Sequence, residues 1–206
     1  MSNTSIETGK EKFIKDYVSG IESILPNLQF DIIYKLADVF IKAYENENLF
    51  FTMGNGGHGS TASHFVNDLL KHTIVSDDKN EVVVHGKRFK AMSLNDSIST
   101  ITTWANDVGY DYIFSEQLIN WVKKGDIVIG FSASGNSKNI IKAFEEAKKH
   151  GAISVAFIGG NGGKMKGIAD ISFTVPSNNY LFIEDLHLIV THMLCNVVRA
   201  MVQKKI

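Results

Sequence analysis

The sequence predicts an α/β fold, a parallel sheet covered by helices on both faces, and three observations predict it. From Leu49 onward short β-rich runs alternate with stretches of helical period, the pattern of parallel strands joined by crossovers. Two amphipathic segments stand ahead of that alternation. Four strand ends then break into polar or glycine-rich turns, and in an open α/β sheet ligands bind outside the carboxyl ends of the strands.

The elements follow in order. Between Glu7 and Leu25, Phe13, Ile14, Tyr17, Val18, Ile21, Ile24 and Leu25 recur at threes and fours, which places them on one side of a helix that Pro26 stops. A second periodic segment, Phe30 to Tyr44, carries Ile32, Ile33, Leu36, Val39, Phe40 and Ala43, with Asp31 near its start favouring the helix dipole. Residues 7–46 are therefore expected as an N-terminal helical extension that packs on the core or on a second subunit, within a single domain spanning 1–206. Strands are expected at Leu49–Met53, Phe89–Leu94, Asp126–Phe131, Ser154–Ile158 and Ile171–Val175. Helices are expected near Ser60–His72, Ser97–Ala105, Asp111–Lys123, Asn136–His150 and Gly163–Ala169, with a last one from Leu181 to Lys204. Val75 to Lys87 fits neither period and reads as a long connection with a small hairpin.

Composition excludes several function classes. A chain of 206 residues, 44% hydrophobic and 21% charged, is globular rather than disordered or fibrous. The formal net charge of −1, with Lys and Arg spread along the chain, leaves no electrostatic footprint for nucleic acid or an anionic membrane. Cys195 is the lone cysteine, so no intrachain disulfide forms, and Met1-Ser2-Asn3-Thr4-Ser5 lacks a basic region followed by an apolar run; the expected compartment is the cytosol. The apolar stretch Leu186 to Val202 is interrupted by His187, Thr191, His192, Asn196 and Arg199, so it reads as a buried helix rather than a membrane span.

Chemistry gathers at the turns. Gly54-Asn55-Gly56-Gly57 reads as a strand, an anion-binding turn and the start of a helix, whose first N–H groups are unpaired donors at the positive end of the dipole. Its spacing is neither the phosphate loop nor the dinucleotide fingerprint, so no nucleotide cofactor is implied. Asn95-Asp96-Ser97 is a second polar exit. In Ser132-Ala133-Ser134-Gly135-Asn136-Ser137, hydroxyls at 132, 134 and 137 surround a glycine at the start of a helix, a set of donors suited to phosphate; a helix cap accounts for one serine and not three. Gly159-Gly160-Asn161-Gly162-Gly163 reads as a plain turn. His64 and Asp68, at i and i+4, lie one above the other on a helix, which suits a shared ion or a hydrogen-bonded pair.

These residues together resemble the sugar isomerase domain family. The resemblance rests on Asn55-Gly56-Gly57, His64 and Asp68, Asn106-Asp107-x-Gly109-Tyr110, the 132–137 serine loop, Gly162-Gly163-Lys164-Met165, and Glu184-x-x-His187-x-x-x-x-His192, in order from about residue 10 to 204. Within the family the chain looks like the phosphoheptose isomerases. The resemblance implies a flavodoxin-like doubly wound sheet of five strands in a three-layer αβα arrangement, in homotetramers with active sites at subunit interfaces. It implies aldose–ketose isomerisation of sedoheptulose 7-phosphate, feeding heptose to surface polysaccharide, in the cytoplasm. It places Ser132, Ala133, Ser134 and Ser137 on phosphate, and Asn55, Gly56, Gly57, Asn106 and Asp107 around the sugar, with Asp68 and Glu184 also on substrate. The acid/base pair falls on Asp68 and His192, and a Zn2+ position, occupied in some members, falls on His64, Asp68, Glu184 and His192.

The chain departs from the family pattern at His58, where serine is usual, at Asp68 for glutamate, at Glu184 for glutamine, and at Tyr180-Leu181-Phe182 for Ala-Asp-Arg. Glu184 and His192 are eight residues apart, about 12 Å of helical rise, so one ion reaches both only if Glu184 precedes the regular helix or the two come from different subunits. His187 faces away from His192 by helical phase and reads as structural. Two other readings share the fold: a non-catalytic binding protein, either a replication-initiator adaptor or a sugar-phosphate sensor, and an isomerase of another sugar phosphate. A scaffold has no need of His64, Asp68, Glu184 and His192 together, and a regulator would usually bring an attached DNA-binding segment.

Overall fold

The computed structural model describes residues 3–206, with side chains from Thr8 onward, so Met1 and Ser2 of the opening segment lie outside the described residues. Five strands, β1 Leu49–Gly54, β2 Lys90–Ser93, β3 Ile127–Ser132, β4 Ile153–Gly159 and β5 Ile171–Val175, form one parallel sheet in the order β2-β1-β3-β4-β5. Each lies within one residue of its expected bounds, and the order is the flavodoxin-like one.

Side chains alternate across the strands, which divides the core in two. Phe50, Ile127, Ile129, Phe131, Val155 and Phe157 face one helical layer, and Phe51, Met53, Val128, Ala156 and Ile158 face the other. The first layer is α2 Phe30–Glu45, α3 Gly57–Asn67 and α8 Tyr180–Val202; the second is α4 Ile98–Asp107, α5 Ser115–Ile119, α6 Lys138–Lys149 and α7 Met165–Ile168. By length and apolar composition alone α8 could cross a bilayer. In this fold its stripe of Ile183, Leu186, Val190, Leu194 and Val198 is buried in the first core, as the helical period requires. The N-terminal helix α1 Asn3–Ile24 lies against α8, leaving Phe13 and Ile14 exposed.

Three helices differ from expectation. The one expected over Ser60–His72 begins at Gly57 and passes at Asp68 into a π-helical turn, Asp68–His72. The one expected over Asp111–Lys123 is a 3-10 turn, Tyr110–Tyr112, followed by the five residues of α5. It ends early because the Lys123 N–H is given to the Asp126 carboxylate at the start of β3, 2.8 Å away. The one expected over Gly163–Ala169 shrinks to α7 because Gly162 and Gly163 hold left-handed φ of 85° and 53°. The long connection does carry a small hairpin, with an antiparallel bridge between Val75 and Val82. Arg199 of α8 pins it by bonding the Val75 carbonyl at 2.9 Å and pairing with Asp77 at 2.8 Å.

Candidate active site

The crossovers part between β1 and β3, the switch point of this strand order. Gly54 pairs with Phe131, so the β1 turn and the serine loop leave adjacent strands at the same level. Asn95 braces the first of them, accepting from Gly54 N–H at 3.1 Å and donating to its carbonyl at 2.8 Å. The second polar exit thus supports the turn, and Ser97 caps α4 by accepting from Thr100 N–H.

Asn55 is held by three contacts. It exchanges side-chain hydrogen bonds with buried Asn139 of α6, at 3.0 and 2.8 Å, and accepts from the Tyr110 hydroxyl at 3.0 Å. Tyr110 arrives through Gly109, just past Asn106 and Asp107, which pair with each other at the exposed end of α4. Gly56 takes φ 56° at the entry to α3. Gly57 lets Glu184 lie close: a Cβ there would stand 2.7 Å from a carboxylate oxygen of that side chain and push it aside. The anion-binding start of α3 is thus covered by the protein's own carboxylate.

In the serine loop the Ser132 and Ser137 hydroxyls lie 2.9 Å apart, and Gly135 N–H donates to Ser132 Oγ at 3.2 Å. Ser137 sits at the N-cap of α6, yet its hydroxyl makes no capping bond, which leaves the open end of that helix to a ligand. Ser134 is exposed, and its hydroxyl accepts from Asn136 N–H at 3.2 Å. The 159–163 turn buttresses this loop: Gly159 N–H donates to the Ala133 carbonyl, Met165 N–H to that of Gly135, and Lys164 N–H to Asn136 Oδ1. Between loop and turn runs a cleft of about 770 Å3 lined by Ala133, Ser134, Asn136, Gly160, Asn161 and Tyr180, among others.

At the far end of α3 three side chains converge. His64 Nε2 and His192 Nε2 are 3.0 Å apart, and Asp68 Oδ2 is 3.3 Å from the first and 3.4 Å from the second. Ligands about 2.0–2.1 Å from a tetrahedral Zn2+ stand about 3.3 Å from one another, so the three fit a divalent cation in spacing and donor type. Asp68 is the first residue of the π turn, a feature that recurs at functional sites. Lys79 of the hairpin and His72 line the same small cleft beside Asp68 and His192.

Glu184 does not join them. Helices α3 and α8 lie side by side in the same direction, with Glu184 over Gly57, His187 against His58 and His192 against His64. Gly57 and His64 are seven residues apart, about 10 Å of rise, so the four-ligand metal set expected from the resemblance does not form within one subunit. Leu181 is exposed, and Phe182 packs away from the site, its ring 5.0 Å from that of Tyr17 in α1. The Tyr17 hydroxyl donates to Asp185, which raises its pKa to about 12.

Sequence reasoning missed Asn139, Tyr110, Lys79 and the pairing of His58 with His187. Asn139 left a signal, a polar residue on the buried face of an amphipathic helix, and Tyr110 and His58 were visible as motif positions without a role. Cys195 is buried, and desolvation raises its thiol pKa.

The fold is a flavodoxin-like sheet with a serine loop at its switch point and a His/Asp/His cluster at the far end of α3, and the family model of the SIS domain matches residues 12–159. The chain belongs to that family, and within it to the phosphoheptose isomerases. It is 37% identical to a probable phosphoheptose isomerase of Thermoplasma acidophilum over 87% of this chain and 91% of that one. It is 34% identical to the phosphoheptose isomerase of Leptospira biflexa over 95% and 94%. The structure of a phosphoheptose isomerase from Francisella tularensis superposes with a TM-score of 0.80 at 28% identity, covering 96% of this chain and 98% of that one.

Proposed function

We propose that this chain is an aldose–ketose isomerase that interconverts sedoheptulose 7-phosphate and D-glycero-D-manno-heptose 7-phosphate. The observation that carries the reading is that one short helix, α3, joins both halves of the chemistry: its start lies beside the serine loop, and its end holds His64, Asp68 and His192. Relatives named as phosphoheptose isomerases, matched over nearly their whole length, support it.

Isomerisation moves a proton between adjacent carbons through an enediol, so it needs one group that takes and returns the proton and another that serves the carbonyl oxygen. Asp68 takes the first role and His192 the second. The phosphate rests on Ser132, Ser134, Ser137 and the open end of α6, with Ala133 contributing backbone, and Asn55, Gly56, Gly57, Asn106, Asp107 and Glu184 line the sugar. His64, Asp68 and His192 would hold a Zn2+, which when bound supplies a Lewis acid that polarises a substrate oxygen.

The subunits assemble as a homotetramer, and the reading is supported by the exposed Phe13 and Ile14 of α1 and by the separation of the two halves of the site along α3. The product would feed heptose for surface polysaccharide in the cytosol, in keeping with a single cysteine.

The test is turnover of sedoheptulose 7-phosphate. Asp68→Asn and His192→Gln should each lower kcat by about 10²- to 10⁴-fold, the range for loss of a general acid or base. Undiminished rates in both would remove the pair. The same preparation, analysed for metal, should hold zinc that His64→Ala loses; equal zinc in both would remove that assignment.

A further inference from the structure

The first turn of α3 holds a chain of hydrogen bonds that the isomerase machinery does not use. The Ile158 carbonyl lies 3.2 Å from His187 Nε2, and His187 Nδ1 lies 3.0 Å from His58 Nε2. A carbonyl only accepts, so the proton of His187 is on Nε2 and its Nδ1 is an acceptor. That acceptor is met by His58 Nε2–H, which leaves His58 Nδ1 as a bare lone pair. Nδ1 faces Glu184 Oε1 at 3.8 Å, beyond hydrogen-bond range.

Neither imidazole gains a second proton near neutral pH. Both are buried, His187 in a box of Phe131, Phe157 and Phe173 rings, and desolvation lowers the pKa of His58 to about 4 and of His187 to about 3. Two acceptors therefore stand side by side with no donor between them. Glu184 is the open end of the pair, its side chain about one-third exposed, and it lies over the Gly56-Gly57 turn.

We propose that His58 is a specificity-determining residue, whose Nδ1 forms with the Glu184 carboxylate a two-acceptor site for hydroxyl donors of the sugar chain. The proposal rests on the phosphosugar reading above and adds what the β1 turn selects for. Two oxygens on neighbouring carbons match acceptors 3.8 Å apart, and a carboxylate at the start of α3 repels phosphate, which leaves the serine loop as the anion site. A substrate with fewer hydroxyls leaves a buried acceptor unpaired, and such sites discriminate strongly.

The amide isosteres of histidine test it. His58→Gln keeps a donor toward His187 and loses the acceptor at Nδ1, whereas His58→Asn keeps an acceptor near Nδ1. Glu184→Gln places an N–H against His58 Nδ1 and closes the site. With sedoheptulose 7-phosphate, His58→Gln and Glu184→Gln should each raise KM about tenfold with a much smaller change in kcat, the signature of lost uniform binding. His58→Asn should recover part of that loss. An unchanged KM in His58→Gln at an unchanged melting temperature, or a loss confined to kcat in Glu184→Gln, would overturn the proposal while leaving the isomerase reading intact. No turnover by the unmutated protein would overturn that reading first.

Discussion

His64 and Asp68 meet His192 for reasons of unequal visibility. The i, i+4 spacing of the first two was legible, and their 3.3 Å contact follows from helix geometry. The arrival of His192 depends on α8 lying along α3, 128 residues away in the chain, which no local pattern encodes. His58 shows the limit more sharply: it read as an odd replacement in a glycine turn, and only the partner at position 187 gives it a role. The two buried imidazoles also set a pH dependence. Their folded pKa values lie below the unfolded value of 6.5, so between pH 6.5 and about 4 the unfolded chain binds protons that the native state refuses. Their contribution is complete above pH 6.5 and erodes as the pH falls through that window. Urea midpoints should decline from pH 6.5 to 4, and His58→Gln should flatten the decline; an identical slope in the variant would remove this cause.

At the scale of elements, the strands were legible to within a residue because apolar runs bounded by Gly, Asn and Ser leave little choice of period. The segment after Gly109 was not, since Phe114, Leu118 and Val122 keep a helical spacing through a chain that is α-helical only over Ser115–Ile119. A local contact, the Asp126 carboxylate taking the Lys123 N–H three residues back, overrode the pattern. The serine loop was legible as three hydroxyls at the start of a helix, but its support was not: the 159–163 turn, read as a plain connection, closes against it. Gly135, at φ 63°, marks that contact, for a Cβ there would lie 2.0 Å from the Gly162 carbonyl oxygen. Gly135→Ala should cost ~2 kcal/mol or more and raise KM for the phosphorylated substrate, since both φ and space are wrong for alanine. A variant of native melting temperature and native KM would show that the loop is not set by this contact.

At the scale of the molecule, α3 sets its glycine-rich start and the His64/Asp68 end about 10 Å apart along the helix axis. The proposed tetramer would bring the Asp68 end of one subunit toward the serine loop of another. Mixing inactive Asp68→Asn subunits with inactive Ser134→Ala,Ser137→Ala subunits, unfolded and refolded together, should then restore part of the activity. No recovery in a mixed assembly of confirmed composition would place both halves of each site in one subunit.

The side-by-side run of α3 and α8 carries one more consequence, for how this protein tolerates change in length. Glu184, His187 and His192 answer Gly57, His58 and His64 as marks on two parallel rulers. Deleting a single residue between 187 and 192 turns everything beyond it by about 100° and shifts it by about 1.5 Å, which swings His192 off His64 while leaving His187 in place. Surface loops accept such indels, but this stretch of α8 is a metre whose count cannot vary.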